Sequence, residues 1–168
     1  MKPVHEEISD LLSDTGEDRF SSPSEARKKA MEFLARREYG QAELTRKLID
    51  RGFDPEVAEQ AVLRLSDEGL QSDTRFAESF VQSRINQGKG PVRIRLDLGH
   101  RGIVDSTVEI ALEEADADWH ALAREIRVKK FGRARPSDFK EKARQMRFLQ
   151  YRGFEQSHIQ VAVGSDDE

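Results

Sequence analysis

The sequence contains no cysteine and no long apolar run. Without a thiol among its 168 residues, the chain has no disulfides and no thiolate metal sites, which makes an intracellular location the default expectation. No stretch approaches the ~18 consecutive apolar residues of a membrane-spanning helix, and the acidic N-terminus lacks the basic and then apolar order of a signal peptide. We therefore expect a soluble, cytoplasmic protein that binds no membrane.

Residues suited to catalysis are also sparse. The four histidines, His5, His100, His120 and His158, are scattered along the chain with no second ligand at a spacing typical of metal sites. There is no nucleophile elbow and no Ser/His/Asp order. Carboxylates occur at predicted helix caps and in surface pairs, so no two of them stand out as a general acid and base. We predict that the protein is not an enzyme and needs no cofactor or metal.

The formal net charge of −4 is unevenly distributed. Residues 1–25 carry seven acidic and two basic residues, and residues 166–168 add three acidic ones, so the remaining body has a net charge of +4. The ends are acidic and the body is mildly basic. The acidic total therefore does not exclude an anionic partner.

Helix signals recur along this body. Ser22-Pro23 and Asp54-Pro55 each place a capping residue before a proline, which is typical of a helix N-terminus. Three Arg-Gly-hydrophobe triplets, centred on Gly52, Gly102 and Gly153, lie 50 and 51 residues apart. Aligning them superimposes a leucine four residues before each glycine and an alanine nine residues after it. Such a period favours tandem repeats of three helices each.

The fold class predicted is therefore all-α, with three tandem three-helix repeats. The predicted boundaries are a disordered acidic leader at 1–22, repeats at 23–69, 70–116 and 117–164, and an acidic tail at 165–168. Each glycine is interpreted as the left-handed cap that ends the second helix, and each leucine as a core residue. These structural positions are Leu48, Gly52, Leu98, Gly102, Leu149 and Gly153.

The stretch Gly88-Lys89-Gly90-Pro91 resembles a phosphate-binding loop only superficially. A nucleotide loop needs Ser or Thr after its lysine and a preceding strand, whereas here glycine and proline follow and the neighbours are helical. We interpret it as a flexible joint whose Pro91 starts the next helix. A weaker alternative is that Lys89 and the open amides at that helix start meet a partner's phosphate or carboxylate.

Two segments are rich in cations. Between residues 84 and 101 there are five cations and a single acid, Asp97. Arg93 is spaced to pair with Asp97 along a helix. From residue 124 to 152 there are eleven cations and three acids, a density that suits phosphate or an acidic protein groove, although basic helix faces are often merely solvated. Phe139 and Phe148 have helical spacing, so we expect them in the core. The candidate partner-binding and DNA-binding residues are Arg84, Lys89, Arg93, Arg95, Arg101, Arg127, Lys129, Lys130, Arg133, Arg135, Arg144 and Arg147.

Three groups of residues follow one another in a specific order. The first runs from Glu38-Tyr39-Gly40 to Arg51-Gly52-Phe53, the second is Leu70 with Asp73-Thr74-Arg75-Phe76-Ala77 and Phe80-Val81, and the third is Gly88-Lys89-Gly90-Pro91 with Arg93-Ile94 and Leu98. Together they resemble the RecX family of bacterial regulatory proteins, which modulate the RecA recombinase. The resemblance covers residues 26–112 closely and the third repeat in outline. The acidic leader and tail are not parts of the family pattern.

This resemblance implies an elongated, curved molecule that lies in the groove of the RecA filament on DNA. It implies a regulator without a catalytic centre, which inhibits strand exchange, coupled ATP hydrolysis and the co-protease activity behind the SOS response. We further expect a monomer. The implied partners are the RecA filament and single-stranded DNA, with double-stranded DNA as a further candidate. Two alternatives stay open: a DNA-binding protein that acts independently of the recombinase, and a passive helical scaffold.

Overall fold

The structure, a computed structural model, describes residues 19–164, and this part of the chain folds into α-helices without strands. The chain divides into two compact units between Phe76 and Ala77, inside the fourth helix. No helix within the described range is long and apolar enough to cross a bilayer. The helices are α1 (Pro23–Leu34), α2 (Gln41–Asp50), α3 (Pro55–Asp67), α4 (Asp73–Asn86), α5 (Pro91–His100), α6 (Asp105–Ala115), α7 (Trp119–Phe131), α8 (Phe139–Tyr151) and α9 (Gln156–Val163).

Local signals account for the helices of the first unit. Ser22 Oγ accepts a hydrogen bond from Glu25 N (3.3 Å), and Asp54 Oδ1 accepts one from Glu56 N (3.0 Å), so each cap satisfies an N–H that would otherwise be free. The apolar faces of α1, α2 and α3 then share one core, in which Leu48 is fully buried. Each of these caps lies where the sequence predicts a helix start.

The chain before α1 is packed against this core. The ring of Phe20 meets that of Phe53 edge to face, with centroids 5.7 Å apart, and Asp54 N donates to Phe20 O (2.9 Å). The predicted disordered leader extended to residue 22, but the contacts of Phe20 show that residues 19–22 belong to the fold. The rest of that leader, residues 1–18, and the predicted tail at 165–168 lie outside the described residues.

Helix α2 receives its N-terminal cap from the start of α4. Its own N-cap residue, Gly40, has no side chain to accept a hydrogen bond. Instead Gln41 N donates to Asp73 Oδ1 (2.7 Å), and the buried Gln71 donates through Nε2 to the same oxygen (3.0 Å) and to Tyr39 O (3.0 Å). These bonds all lie within the first compact unit.

The second compact unit contains α5 to α9 and most of α4. Its third-repeat core is formed by residues that include Leu149 and Phe154, with Trp119, Leu122 and Ile126 packed against them. One face of α7 therefore packs against this core. The glycines of the three aligned triplets have positive φ, at +101° for Gly52, +81° for Gly102 and +94° for Gly153, a conformation in which glycine has no steric cost.

Residues 88–91 form a packed backbone joint between the second and third repeats. Gly90 N donates to Arg152 O and Val92 N donates to Gly153 O, both at 2.9 Å. A Cβ on Gly90 would overlap the backbone of Gly153. The interpretation of this stretch as a flexible joint is therefore corrected, and so is the expectation of open amides at the start of α5, because the amides of Gly90 and Val92 are already used.

Candidate partner-binding surface

The third repeat presents its cations on the last turns of α7, the following loop and α8. Asp118 caps α7 by accepting from Ala121 N (3.0 Å), and Asp138 caps α8 by accepting from Glu141 N (2.7 Å). The cations at the end of α7 are also favoured by the negative end of the helix dipole. The predicted binding residues that are exposed here are Lys129, Lys130, Arg133, Arg135, Arg144 and Arg147.

Two aromatic rings hold part of this surface in place. Phe131 and Phe148 meet edge to face with centroids 5.3 Å apart, and Phe148 packs against the core as expected. The guanidinium of Arg144 lies 5.0 Å from the ring centre of Phe131, and Lys130 Nζ lies 5.7 Å from that of Phe148. Cations placed over ring faces are attracted by the ring quadrupole, so both keep their charge close to the surface.

Two of the predicted residues already pair with carboxylates. Lys129 Nζ lies 3.1 Å from Glu125 Oε1, and Arg144 forms two hydrogen bonds to Glu141, at 3.0 and 2.9 Å. The bonds to Arg144 lower the pKa of the Glu141 carboxyl, and the same contact raises the pKa of Arg144. Because these pairs neutralise each other in part, they contribute less to an attraction for anions.

Six exposed cations of this repeat form no ion pair within residues 19–164, and we call them the unpaired cations. Three of them were predicted as binding residues, whereas the other three lay in the same basic segment and were not singled out. Charge density along the sequence was the signal that could have found them. The unpaired cations are Arg124, Lys130, Arg133, Lys140, Lys142 and Arg147.

Arg127 lies inside the third repeat. It is 6% exposed, and its Nη1 donates to Ala134 O (3.3 Å) and to Gln145 Oε1 (3.4 Å). It therefore ties the loop between α7 and α8 to the helices. Among the predicted binding residues of this repeat, Arg127 is the buried one. Its burial keeps it from direct contact with a partner at the surface.

Phe139 departs from the expectation that it packs in the core. Its side chain is 86% exposed at the first turn of α8. Around the helix, Phe139 lies roughly 100° from the face of Gln145 and Leu149 that packs against the core. The apolar residues of α8 therefore occupy two faces, and the core covers the second only in part, through Met146.

In the second repeat, Phe80 organises two of the predicted residues. The guanidinium of Arg84 lies 4.2 Å from its ring centre, and that of Arg101 lies 5.1 Å from it. Both arginines are half-buried. The ring thus brings together two cations that are seventeen positions apart in the sequence.

A second group of cations, which we call the joint cluster, consists of Lys89, Arg93 and Arg152. Burial lowers the pKa of Lys89, and the positive charges of Arg152 and Arg93 lower it further. Arg152 Nη2 also donates to Gln87 O (2.6 Å), which holds it at the joint between the repeats. Arg152 was not among the predicted binding residues, although it is the arginine of the third aligned triplet. Asp97 offsets part of this charge by pairing with Arg93, and the excess of positive charge that the cluster keeps favours the approach of an anion.

Arg93 and Arg95 are engaged by carboxylates. Arg93 Nε lies 3.3 Å from Asp97 Oδ1, which confirms the predicted pair along the helix. Arg95 binds Glu109 through two hydrogen bonds, at 2.7 and 3.3 Å, and Glu155 through a third, at 3.1 Å. The bonds that Arg95 donates to Glu109, and then the one that it donates to Glu155, raise the pKa of Arg95. Arg95 therefore links the second repeat to the start of α9 in the third.

Chemically, this surface is suited to binding anions. No three His, Asp or Glu side chains gather as metal ligands in the described part of the chain. The cations of the joint cluster and the unpaired cations both belong to the second compact unit. Phosphates or carboxylates are the groups that such cations would bind.

Comparisons with known proteins identify relatives along most of the chain. Three family models match: the first, second and third three-helix domains of RecX, over residues 26–65, 72–112 and 116–163. A "Regulatory protein RecX" of Pseudomonas fluorescens strain Pf-5 is 48% identical over 144 residues, which cover 84% of this chain and 93% of the relative. One of Halorhodospira halophila is 44% identical over 83% of this chain and 86% of its own.

Solved structures agree in fold. A crystal structure of regulatory protein RecX has a TM-score of 0.73 at 22% identity, covering 96% of this chain and 78% of the other. The structure of RecX from Lactobacillus salivarius has a TM-score of 0.71 at 22% identity, covering 84% and 94%. These similarities confirm the predicted all-α fold of tandem three-helix domains. Together with the family models and the sequence identities, they show that this chain belongs to the RecX family of regulatory proteins.

Proposed function

We propose that the protein binds the RecA filament on DNA and inhibits strand exchange together with the coupled ATPase and co-protease activities. Membership of a family named for regulation supports a regulator without a catalytic centre of its own. The observation that carries the proposal is the set of unpaired cations on the third repeat, together with the joint cluster. Because RecA acts on DNA in the bacterial cytoplasm, the proposed site of action is the cytoplasm.

A filament on DNA offers two kinds of anion to such a surface. Carboxylates on the protein subunits and phosphates of the DNA both bind arginine and lysine. Backbone hydrogen bonds hold together the segments that carry the joint cluster, and Arg152 Nη2 also donates to Gln87 O, so this part of the backbone loses little conformational entropy when a partner binds. We propose that the protein acts as a monomer whose contacts span neighbouring filament subunits.

Strand exchange driven by RecA tests this function. The full chain should inhibit the reaction when it is far scarcer than the DNA nucleotides, because each molecule acts on the filament and not by covering DNA. Inhibition only at amounts that saturate the DNA would favour the second candidate, a DNA-binding protein independent of the recombinase. That candidate has support from the same cations, which are equally able to contact phosphates.

A charge reversal tests the surface itself. The triple substitution Lys130→Glu, Arg133→Glu and Lys140→Glu should raise the concentration needed for inhibition by about tenfold or more, because each change replaces an attraction by a repulsion. The matched control reverses three exposed cations of the first unit, Lys28, Arg46 and Lys47, with the same change in net charge. Equal losses in both variants would refute a specific surface, and no loss in either would favour a passive scaffold.

A further inference from the structure

A groove lies between helices α8 and α9, and the basic surface described above does not explain its apolar lining. Its volume is about 680 Å³, and Met146, Val161 and Val163 contribute apolar lining. Phe139 lines the groove as well, with its side chain 86% exposed, and Val161 is 43% exposed. The groove therefore lies on the second apolar face of α8, at the edge of the core that holds Leu149, since Met146 packs against that core and Val163 belongs to it.

The sequence of α8 produces this second face by helical spacing. Phe139, Ala143, Met146 and Gln150 follow one another at intervals of four, three and four residues, which places them on one side of the helix. All four line the groove. Of these four, Phe139 is exposed and apolar, Ala143 and Met146 are partly buried, and Gln150 is polar. An apolar strip that stays partly exposed beside a neighbouring helix is typical of a docking site rather than of a solvated face.

Cations stand beside this apolar lining. Lys142 and Arg147 also line the groove, and neither forms an ion pair with another residue of the described chain. Removing either charge from water against an apolar wall is unfavourable unless an anion accompanies it. A partner that fills the groove must therefore supply both apolar side chains and negative charge.

We propose that this groove binds an acidic amphipathic helix of a partner protein. Its apolar side chains would pack on Met146, Val161 and Phe139, and its carboxylates would meet Lys142 and Arg147. Amphipathic helices dock in this way into grooves between two helices. Single-stranded nucleic acid is the weaker match, because phosphates use the two cations but leave the exposed apolar side chains of Phe139 and Val161 without a partner. The proposal does not depend on the filament function, so either can fail alone.

Fluorescence polarisation with the full-length chain tests the proposal. The first probe is a labelled peptide of about 14 residues with leucines at positions i, i+3, i+4 and i+7 and glutamates at most others. The second probe has the same peptide with serine in place of leucine. The third is an oligothymidine of about 12 nucleotides. We expect the leucine peptide to bind about tenfold more tightly than the serine peptide, because only the former fills the groove.

Substitutions locate the binding site. Phe139→Ser and Val161→Glu should each weaken binding of the leucine peptide by about tenfold, and both positions are exposed enough for the fold to tolerate the change. Lys142→Glu should weaken it more than Lys140→Glu, a matched control on the same helix that does not line the groove. Ile110→Glu, at a 51% exposed apolar position of the second repeat, should leave binding unchanged.

Three outcomes would overturn the proposal. Equal affinity for the leucine and serine peptides would mean that charge alone drives the binding. Tighter binding of oligothymidine, with loss on Phe139→Ser, would assign the groove to nucleic acid. Binding of the leucine peptide that is unaffected by Phe139→Ser and Val161→Glu would place its site elsewhere.

Discussion

Replacing Gly90 by alanine tests the joint between the second and third repeats. Gly90 has φ −87° and ψ 169°, which alanine adopts freely, so the substitution changes little except the space that a Cβ occupies. That Cβ would overlap the carbonyl of Gly153 and the amide nitrogen of Phe154. Because both are backbone atoms, relief requires the two repeats to move apart at this point.

The expected magnitude follows from these contacts. Two hydrogen bonds, from Gly90 N and Val92 N, would be weakened or lost, each worth ~1 kcal/mol. Overpacking of a close contact costs a further ~1–3 kcal/mol. The smaller conformational entropy of alanine in the unfolded chain offsets ~0.4–1 kcal/mol. We expect Gly90→Ala to lower the free energy of unfolding by about 2–4 kcal/mol.

Urea unfolding followed by tryptophan fluorescence measures this change. Trp119 is the single tryptophan of the chain and packs against the core of the third repeat, so it reports unfolding of the unit that contains the joint. The matched control is Gly99→Ala, inside α5, where nothing lies within 4 Å of the added Cβ. This control should raise the free energy of unfolding by about 1 kcal/mol. An unchanged midpoint for Gly90→Ala would refute the packed joint, and equal losses in both variants would refute overlap as the cause.

Two further substitutions test single residues. Gly102→Val should destabilise the protein by ~1 kcal/mol or more, because valine is strained at φ +81°, and an unchanged melting temperature would contradict this. For His158, burial lowers the pKa below its ordinary value of 6.5, so below that pH the unfolded state binds more protons than the folded state. Stability should therefore decrease as the pH falls from 6.5 towards the folded pKa, and denaturant titrations across this range should show a weaker pH dependence for His158→Gln.

Features that depend on neighbouring residues could be predicted from the sequence. The caps at Ser22 and Asp54 are local, because a side chain bonds to an amide two or three residues away. The positive φ values at the aligned glycines agree with the caps expected there. Repetition strengthens such a prediction, because three copies must satisfy the same turn chemistry.

Side-chain location on a helix was harder to predict. Arg127 lies four residues after the buried Ala123, so it continues the buried face of α7. This spacing indicated burial, whereas the charge of Arg127 had suggested a position on the surface. Phe139 and Phe148 both fit apolar helical spacing on α8, yet only Phe148 packs against the core. Because α8 is apolar on two faces, periodicity alone could not decide which face the core covers.

The sequence contains no local signal for contacts between distant segments. Gly90 and Gly153 meet although 63 residues separate them, and the sequence of each turn explains only its own conformation. The link from Arg95 to Glu155 is similar, since charge pairs across repeats depend on how the repeats pack. The sequence alone therefore does not distinguish Arg95, which pairs with two glutamates, from a cation that is fully solvated.

The hydrogen bond that Asp73 accepts from the first residue of α2 has a practical consequence for dissecting the protein. Family boundaries leave Asp73 in the second domain, whereas the amide that it caps, Gln41 N, lies in the first. A fragment that stopped at residue 69 would expose the start of α2, at a cost of about 1 kcal/mol for the missing cap. The smallest fragment of this region that keeps its own hydrogen bonds therefore extends beyond Asp73, so the unit that recurs in the sequence is shorter than the unit that folds.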